Sequence, residues 1–255
     1  MTRDTQYNYK LGKGCGLIEE TLALLSVYQK GMTKDELAGY VHQYNTLSRS
    51  TEKRSQDIVR IVFYSRFMRR NPDVAFWLKT IREKGLMLAQ FNQLLMLYCA
   101  RDNAVFYEYV MQEINVLREE QKAIIPKDNS INYVKKIAET GDVKWGEKIQ
   151  NRLASYLKTL LVEFNFADKK GTILPFDIAN FTVLYLMHEL HFAGLSDVAI
   201  WNHEDWQLFG LDKYKVLEKI MELNLKGGYI AQSTGDLMTI SWNYQTMEEF
   251  INGTL

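Results

Sequence analysis

The 255-residue chain is long enough to bury a core without covalent staples, and its 47% hydrophobic and 24% charged residues are ordinary for a globular protein. Two cysteines, Cys15 and Cys99, exclude a disulfide scaffold and leave no metal-knuckle spacing, so a reducing compartment is expected. The 31 basic residues match 31 acidic ones, but four Lys/Arg against ten Asp/Glu from Thr182 onward leave −6 at the rear and +6 before it. Such an asymmetry predicts two different partners.

The first ten residues lack the apolar run of a signal peptide. The uncharged stretch 85–100 contains Gln90, Asn92 and Gln93 and is shorter than a bilayer span of roughly 20 residues, so it predicts a buried helix. A soluble, cytoplasmic protein without a membrane partner is expected. Apolar spacing predicts a helix over 17–30, stopped at Gly31. Thr33-Lys34-Asp35-Glu36 reads as a capping box opening the next helix. Another helix is expected from about 51 to 70, ended by Asn71-Pro72, and others at about 74–84, 86–100 and 103–119. Pro126 closes this block, with a boundary in 121–130.

Beyond it the pattern changes. Ser130 reads as the cap of a helix through Ala138, Gly141 turns the chain, and Trp145 introduces a longer helix to about Phe164. Phe166 to Pro175, with a polar turn between apolar flanks, reads as a small hairpin. Helices at 180–192, 196–202 and 212–225 come next. Two strands then run from Tyr229 to Trp242 about a Thr234-Gly235-Asp236 turn, and Thr246 to Glu249 caps a last helix. Helix, turn, helix and two-stranded wing is winged-helix order, read here twice. The expected fold is mainly α: a helical bundle over 1–122, a winged-helix-like unit over 123–178 and a second over 179–255.

The helix at 147–164 carries the strongest chemical signal. Ile149, Leu153, Tyr156, Leu157, Leu160 and Phe164 form one stripe. Lys148, Asn151, Arg152, Ser155, Lys158 and Thr159 form the other, with no acid among them. Cations and small hydrogen-bonding groups suit a helix in a major groove or along phosphates, and Lys169 and Lys170 at the hairpin tip would extend that surface. The plainer alternative is a solvated face. A second basic run holds Arg49, Lys53, Arg54, Arg60, Arg66, Arg69 and Arg70 against Glu52 and Asp57. The last three complement a helix C-terminus, which leaves Lys53, Arg54 and Arg60 as further candidates for phosphate.

Enzyme signals are weak. His188-Glu-Leu-His191 is one residue short of the zinc-protease spacing, and His203 supplies no legible third ligand, so no metal is expected. Gly12-Lys13-Gly14-Cys15-Gly16 lacks the Lys-Ser/Thr ending of a phosphate loop and reads as a helix-entry turn. No paired carboxylates, cofactor motif, catalytic residue or small-molecule site is legible. In the acidic rear, Trp201, Trp206, Phe209 and Trp242 are either core or exposed anchors for a protein partner.

The chain resembles the BrxA family of bacterial BREX phage-defence systems. The likeness lies in the order of several segments. They are Leu11-Gly-Lys-Gly-Cys-Gly-Leu-Ile-Glu-Glu-Thr21, Arg49-Ser-Thr with the helix to Phe67, Leu97-Tyr-Cys-Ala-Arg-Asp102, and Trp145 with Arg152-Leu-Ala154. Later come Leu184-Tyr-Leu186, Trp206-Gln-Leu-Phe-Gly-Leu-Asp212 and Ile240-Ser-Trp-Asn-Tyr244. The resemblance implies a helical, winged-helix protein that binds double-stranded DNA beside a methyltransferase, an ATPase and a phosphatase-like partner. It also implies front helices similar to NusB-type antitermination proteins, which bind RNA. Where relatives close the recognition-type helix with Gly-Leu, this chain has Asn165-Phe166, and Asn tolerates the left-handed backbone such a turn needs. The expected function is a non-enzymatic DNA-binding component. The alternatives are a scaffold docking another BREX protein through its acidic rear, or RNA binding through the front helices.

Overall fold

The structure, a computed structural model, describes residues 3–48, 51–140 and 143–255. Arg49, which heads the second basic run, and Gly141, the expected turn, lie outside the described residues. The chain divides into two compact units, one of residues up to 79 with 95–176, the other of 80–94 with 177–255. No described helix is long and apolar enough to cross a membrane.

The front of the chain forms α1 (Ile18–Val27), α2 (Lys34–Tyr44), α3 (Glu52–Asp57), α4 (Tyr64–Phe67), α5 (Val74–Glu83), α6 (Leu88–Arg101), α7 (Ala104–Tyr109) and α8 (Asn115–Glu119). The capping box of α2 is complete: Thr33 Oγ1 accepts the Glu36 N–H and Glu36 accepts the Thr33 N–H. The helix expected over 51–70 is continuous from Glu52 to Phe67, but its middle, Ile58–Phe63, widens into a π-helix. The one expected over 103–119 does the same at Val110–Ile114, between α7 and α8. Both wide turns bury apolar residues, Val59 and Phe63 in the first and Val110 and Ile114 in the second. Aromatic contacts Tyr28–Phe63, Phe63–Phe67 and Phe67–Tyr98, at 5.2–6.3 Å between centroids, run through the core of this unit.

The same unit contains α9 (Asn129–Thr140) and α10 (Glu147–Glu163), packed on each other. Helix α9 begins one residue before the expected cap. Ser130 lies inside it, fully buried, while the Asn129 side chain bridges the Tyr109 hydroxyl and the Glu113 carboxylate. The hairpin expected over 166–175 is reduced to a single bridge, Ala167 with Ile173, and a third segment joins through Ile124 and Thr172. The runs are only two or three residues long, and Pro175 has no donor to extend them.

The smaller unit holds α11 (Asn180–Phe192), α12 (Asp197–Trp201), a 3-10 turn at Glu204–Phe209, α13 (Lys213–Glu222), β1 (Tyr229–Thr234), β2 (Leu237–Trp242) and α14 (Met247–Thr254). Residues 181–190 of α11 are buried on every side, the mark of a central helix. Strands β1 and β2 pair antiparallel across a two-residue Gly235-Asp236 loop, with Gly235 at φ +60 as such turns need. Asp197 accepts the Ile240 N–H at 2.9 Å and so occupies the free edge of β2.

Candidate nucleic-acid interface

Helix α10 is amphipathic along its whole length. Leu153, Ala154, Leu157, Leu160 and Leu161 are buried, and α9 supplies Tyr133, Val134 and Ile137 to the same layer. The opposite face carries Lys148, Asn151, Arg152, Ser155, Lys158 and Thr159, all exposed. At 1.5 Å per residue this row is about 16 Å long, comparable to the roughly 12 Å width of a major groove. Among the described residues the side chains of Lys148, Asn151 and Arg152 form no hydrogen bond or ion pair, and the charge of Arg152 acts on the Tyr156 hydroxyl. The helix closes as its sequence predicts: Asn165 sits at φ +60, and the Phe166 N–H returns to the Leu161 carbonyl at 2.8 Å.

Beyond this closure the Asp168 carboxylate accepts the N–H groups of Lys170 and Thr172, each at 2.8 Å. Those bonds hold its pKa below the usual carboxylate range. With Gly171 at φ +85 they fold residues 168–171 into a tight turn that presents Lys169 and Lys170 to solvent. The central segment of this small ladder, 171–174, bonds on one side to 123–125 and on the other to 166–168. Between the turn, the 124–127 segment and the end of α10 lies a cleft of about 310 Å³. Lys127, Lys158, Lys169 and Lys170 line it together with apolar Ile124, Leu161, Val162 and Ala167. Lys158 Nζ donates to the Lys127 carbonyl at 2.8 Å, which holds α10 to the opposite wall.

The second basic run is placed differently. Lys53 is exposed and forms no ion pair among the described residues. Arg54 donates to the Lys13 carbonyl, and Arg60 is tied to Asp35 at 3.0 Å and to Gln56 at 2.8 Å. Arg69 pairs with Asp4 and Asp102, and Arg70 bonds the Arg101 carbonyl. Arg66 is buried and donates to the carbonyls of Gly14, Cys15 and Gly16 at 2.6–3.1 Å. Arg54 and Arg66 therefore fasten the glycine-rich loop with guanidinium groups. That loop directs its carbonyls at a protein cation, the reverse of an anion cradle. Glu163 completes the arrangement by accepting the Gly16 N–H at 2.7 Å, and a Cβ on Gly16 would lie 2.6 Å from its carboxylate oxygen. Burial raises the Glu163 pKa and pushes the Cys15 thiol up to about 12, so Cys15 is not a poised nucleophile. Sequence reading missed Arg66 and Glu163 as partners, because neither stands in a local motif with the loop it holds.

In the smaller unit His188 is fully buried, its Nδ1 against the Leu184 carbonyl at 2.8 Å and its ring stacked on Phe250 at 4.0 Å. Burial lowers its pKa to about 4. His191 stacks on Trp242 at 4.2 Å. Among the described residues no three ligands converge as a metal site. Of the two alternatives for the rear aromatics, core or exposed anchor, the structure places them in the core. Trp201, Trp206 and Phe209 are at most 2% exposed, and Trp242 is half-buried against His191 and Tyr229. Burial yields more from such side chains than exposure does, and the indole N–H groups of Trp201 and Trp206 are satisfied by the Lys213 and Ile200 carbonyls.

The fold is thus that of a mainly α protein whose described strands form one two-stranded hairpin, with cations displayed on α10 and on the 168–171 turn. Residues 5–189 match the BrxA family, and the chain belongs to that family, which places it in the context of BREX phage defence. A crystal structure described as an uncharacterized protein from Magnetospirillum magneticum is similar, with a TM-score of 0.59 at 18% identity over 72% of this chain and 94% of that one. That likeness is one of fold. No curated protein matches the chain.

Proposed function

We propose that the protein is a non-enzymatic, cytoplasmic DNA-binding component of a BREX assembly, laying the exposed face of α10 and the 168–171 turn on duplex phosphates. The observation that carries this reading is the row Lys148, Asn151, Arg152, Ser155 and Lys158, exposed along three turns of one helix beside a single exposed acid in its first turn, Glu147, and continued by Lys169 and Lys170. The order of α9, α10 and the 123–125, 166–168 and 171–174 segments supports a winged-helix arrangement, with α10 in the position of the recognition helix. Asn151 and Arg152 are the side chains suited to base edges, and the lysines to phosphate. Of the second basic run, Lys53 keeps its charge free for phosphate, whereas Arg54 and Arg60 would have to leave their present partners.

Counterion release supplies the test. Each phosphate neutralised contributes about 0.9 to the slope of log K against log salt. Replacing Lys148, Arg152 and Lys158 together by alanine is expected to lower that slope by about 2 to 3 units and to weaken duplex binding at every sequence tested. Unchanged binding by the folded triple variant would remove α10 from the interface.

A second reading, protein docking through the acidic rear, draws on different residues from those expected. Tyr214 on α13 and Leu237 on β2 are 77% and 70% exposed within this acidic segment. Large apolar side chains so displayed suit a protein surface better than a duplex.

A further inference from the structure

The cleft beside the 168–171 turn has two properties that a fully paired duplex does not use together. Its rim holds four ammonium groups, from Lys127, Lys158, Lys169 and Lys170, none of which forms an ion pair among the described residues. Its one acid, Asp168, accepts both N–H groups of the turn with one oxygen, Oδ1, and its charge also acts on Lys170. The floor is apolar, formed by Val162 and Leu161 of α10, and Ile124 on the opposite wall is 62% exposed. A paired duplex offers phosphates to such a rim but keeps its bases stacked, leaving the floor wet. An inorganic anion would also waste the floor, and a neutral apolar ligand would waste the lysines. A nucleotide with a free base satisfies both, and about 310 Å³ lies at the lower end of sizes that hold small ligands.

We infer that this cleft binds one unpaired nucleotide, its base on the apolar floor between Ile124 and Val162 and its phosphate against Lys127, Lys169 and Lys170. Lys158, anchored on the Lys127 carbonyl, sets the width of the cleft and keeps further N–H donors for the ligand. The inference deepens the DNA-binding reading: α10 would hold the duplex while the cleft takes a nucleotide that has left the stack, at a strand end, a mismatch or an opened site. Unpaired bases bind by their faces and so with little sequence preference.

The experiment compares three probes on the full chain: a blunt duplex, the same duplex ending in one unpaired fluorescent purine, and the free purine mononucleotide. The unpaired end is expected to bind about 10-fold tighter than the blunt duplex, with a change in purine emission. Ile124→Ser, at an exposed position, is expected to abolish that preference and the emission change while leaving blunt-duplex affinity intact. Lys169→Ala with Lys170→Ala should weaken all DNA probes. Equal affinity for blunt and unpaired ends overturns the cleft proposal and leaves the duplex reading standing. Binding of the mononucleotide without binding of either duplex keeps the cleft and overturns the duplex reading. No binding of any probe overturns both. An acidic peptide that displaces the unpaired end as well as the mononucleotide does would show a rim that reads charge alone, and would also overturn the proposal.

Discussion

Glu163, the last residue of α10, accepts the backbone N–H of Gly16 at 2.7 Å across 147 positions of sequence. The same helix that displays its cations outward is therefore pinned at its inner end to the loop before α1, and Arg66 grips that loop from the other side. The pin makes the stability of the glycine loop measurable through one carboxylate.

Glu163→Ala is expected to cost about 1–3 kcal/mol, because the Gly16 N–H loses its acceptor in a part-buried setting. The pKa of Glu163 is raised from its ordinary 4.5 by burial, so the native state binds its proton more readily than the unfolded chain does. Its contribution is full below about pH 4.5 and is lost as pH rises through the raised native value. Glu163→Gln should remove this part of the pH dependence, as read by denaturant titrations across that range.

Arg66 and Arg152 separate folding from binding. Arg66→Met leaves three loop carbonyls without their donor and should destabilise the chain by about 3 kcal/mol. Arg152→Ala, at an exposed position, should leave the Tm within a degree or two while lowering the salt slope of duplex binding by about one unit. Equal losses of Tm in both variants would contradict the placement of Arg152.

His188 sets an acid limit. Its native pKa near 4 lies below the ordinary 6.5, so the unfolded chain binds the proton first. Stability is full above pH 6.5 and falls as pH drops toward 4, by about 3 kcal/mol from this residue. His191, also shifted downward by burial, adds in the same direction. His188→Phe should flatten the fall, and an unchanged pH profile in that variant would locate the acid sensitivity elsewhere.

Trp206→Ala should cost about 3–5 kcal/mol, since the side chain is 1% exposed and its Nε1 donates to the Ile200 carbonyl at 2.7 Å. Tyr214→Ala and Leu237→Ser should leave the melting temperature nearly unchanged. Loss of co-purification with other BREX proteins in these two surface variants would support docking through the rear. Its retention would leave that face without a binding role.

Where a reading needed only local periodicity, it could be made from the chain. A 3.6-residue repeat alone brings Lys148, Arg152, Ser155 and Lys158 to one side of α10, and Asn165 alone can take the left-handed turn that closes it. The Thr33–Glu36 box and the Gly235-Asp236 loop are equally local. The second basic run was not legible in this way. A sequence counts Arg54, Arg60 and Arg66 as three like charges. The tertiary structure gives two of them backbone carbonyls 41 to 52 positions away and the third the Asp35 carboxylate.

The amino-acid sequence by itself thus determined the mainly α class and the polar face of α10, because these depend on neighbours three or four residues apart, and the BrxA resemblance, which lies in the order of segments along the chain. Only the tertiary structure decided which cations remain unpaired and which aromatics are core. It also decided that the 166–175 segment shrinks to single bridges beside 123–125. Those outcomes depend on long-range partners, and whether a charge or a ring is free is a property of what the fold brings against it.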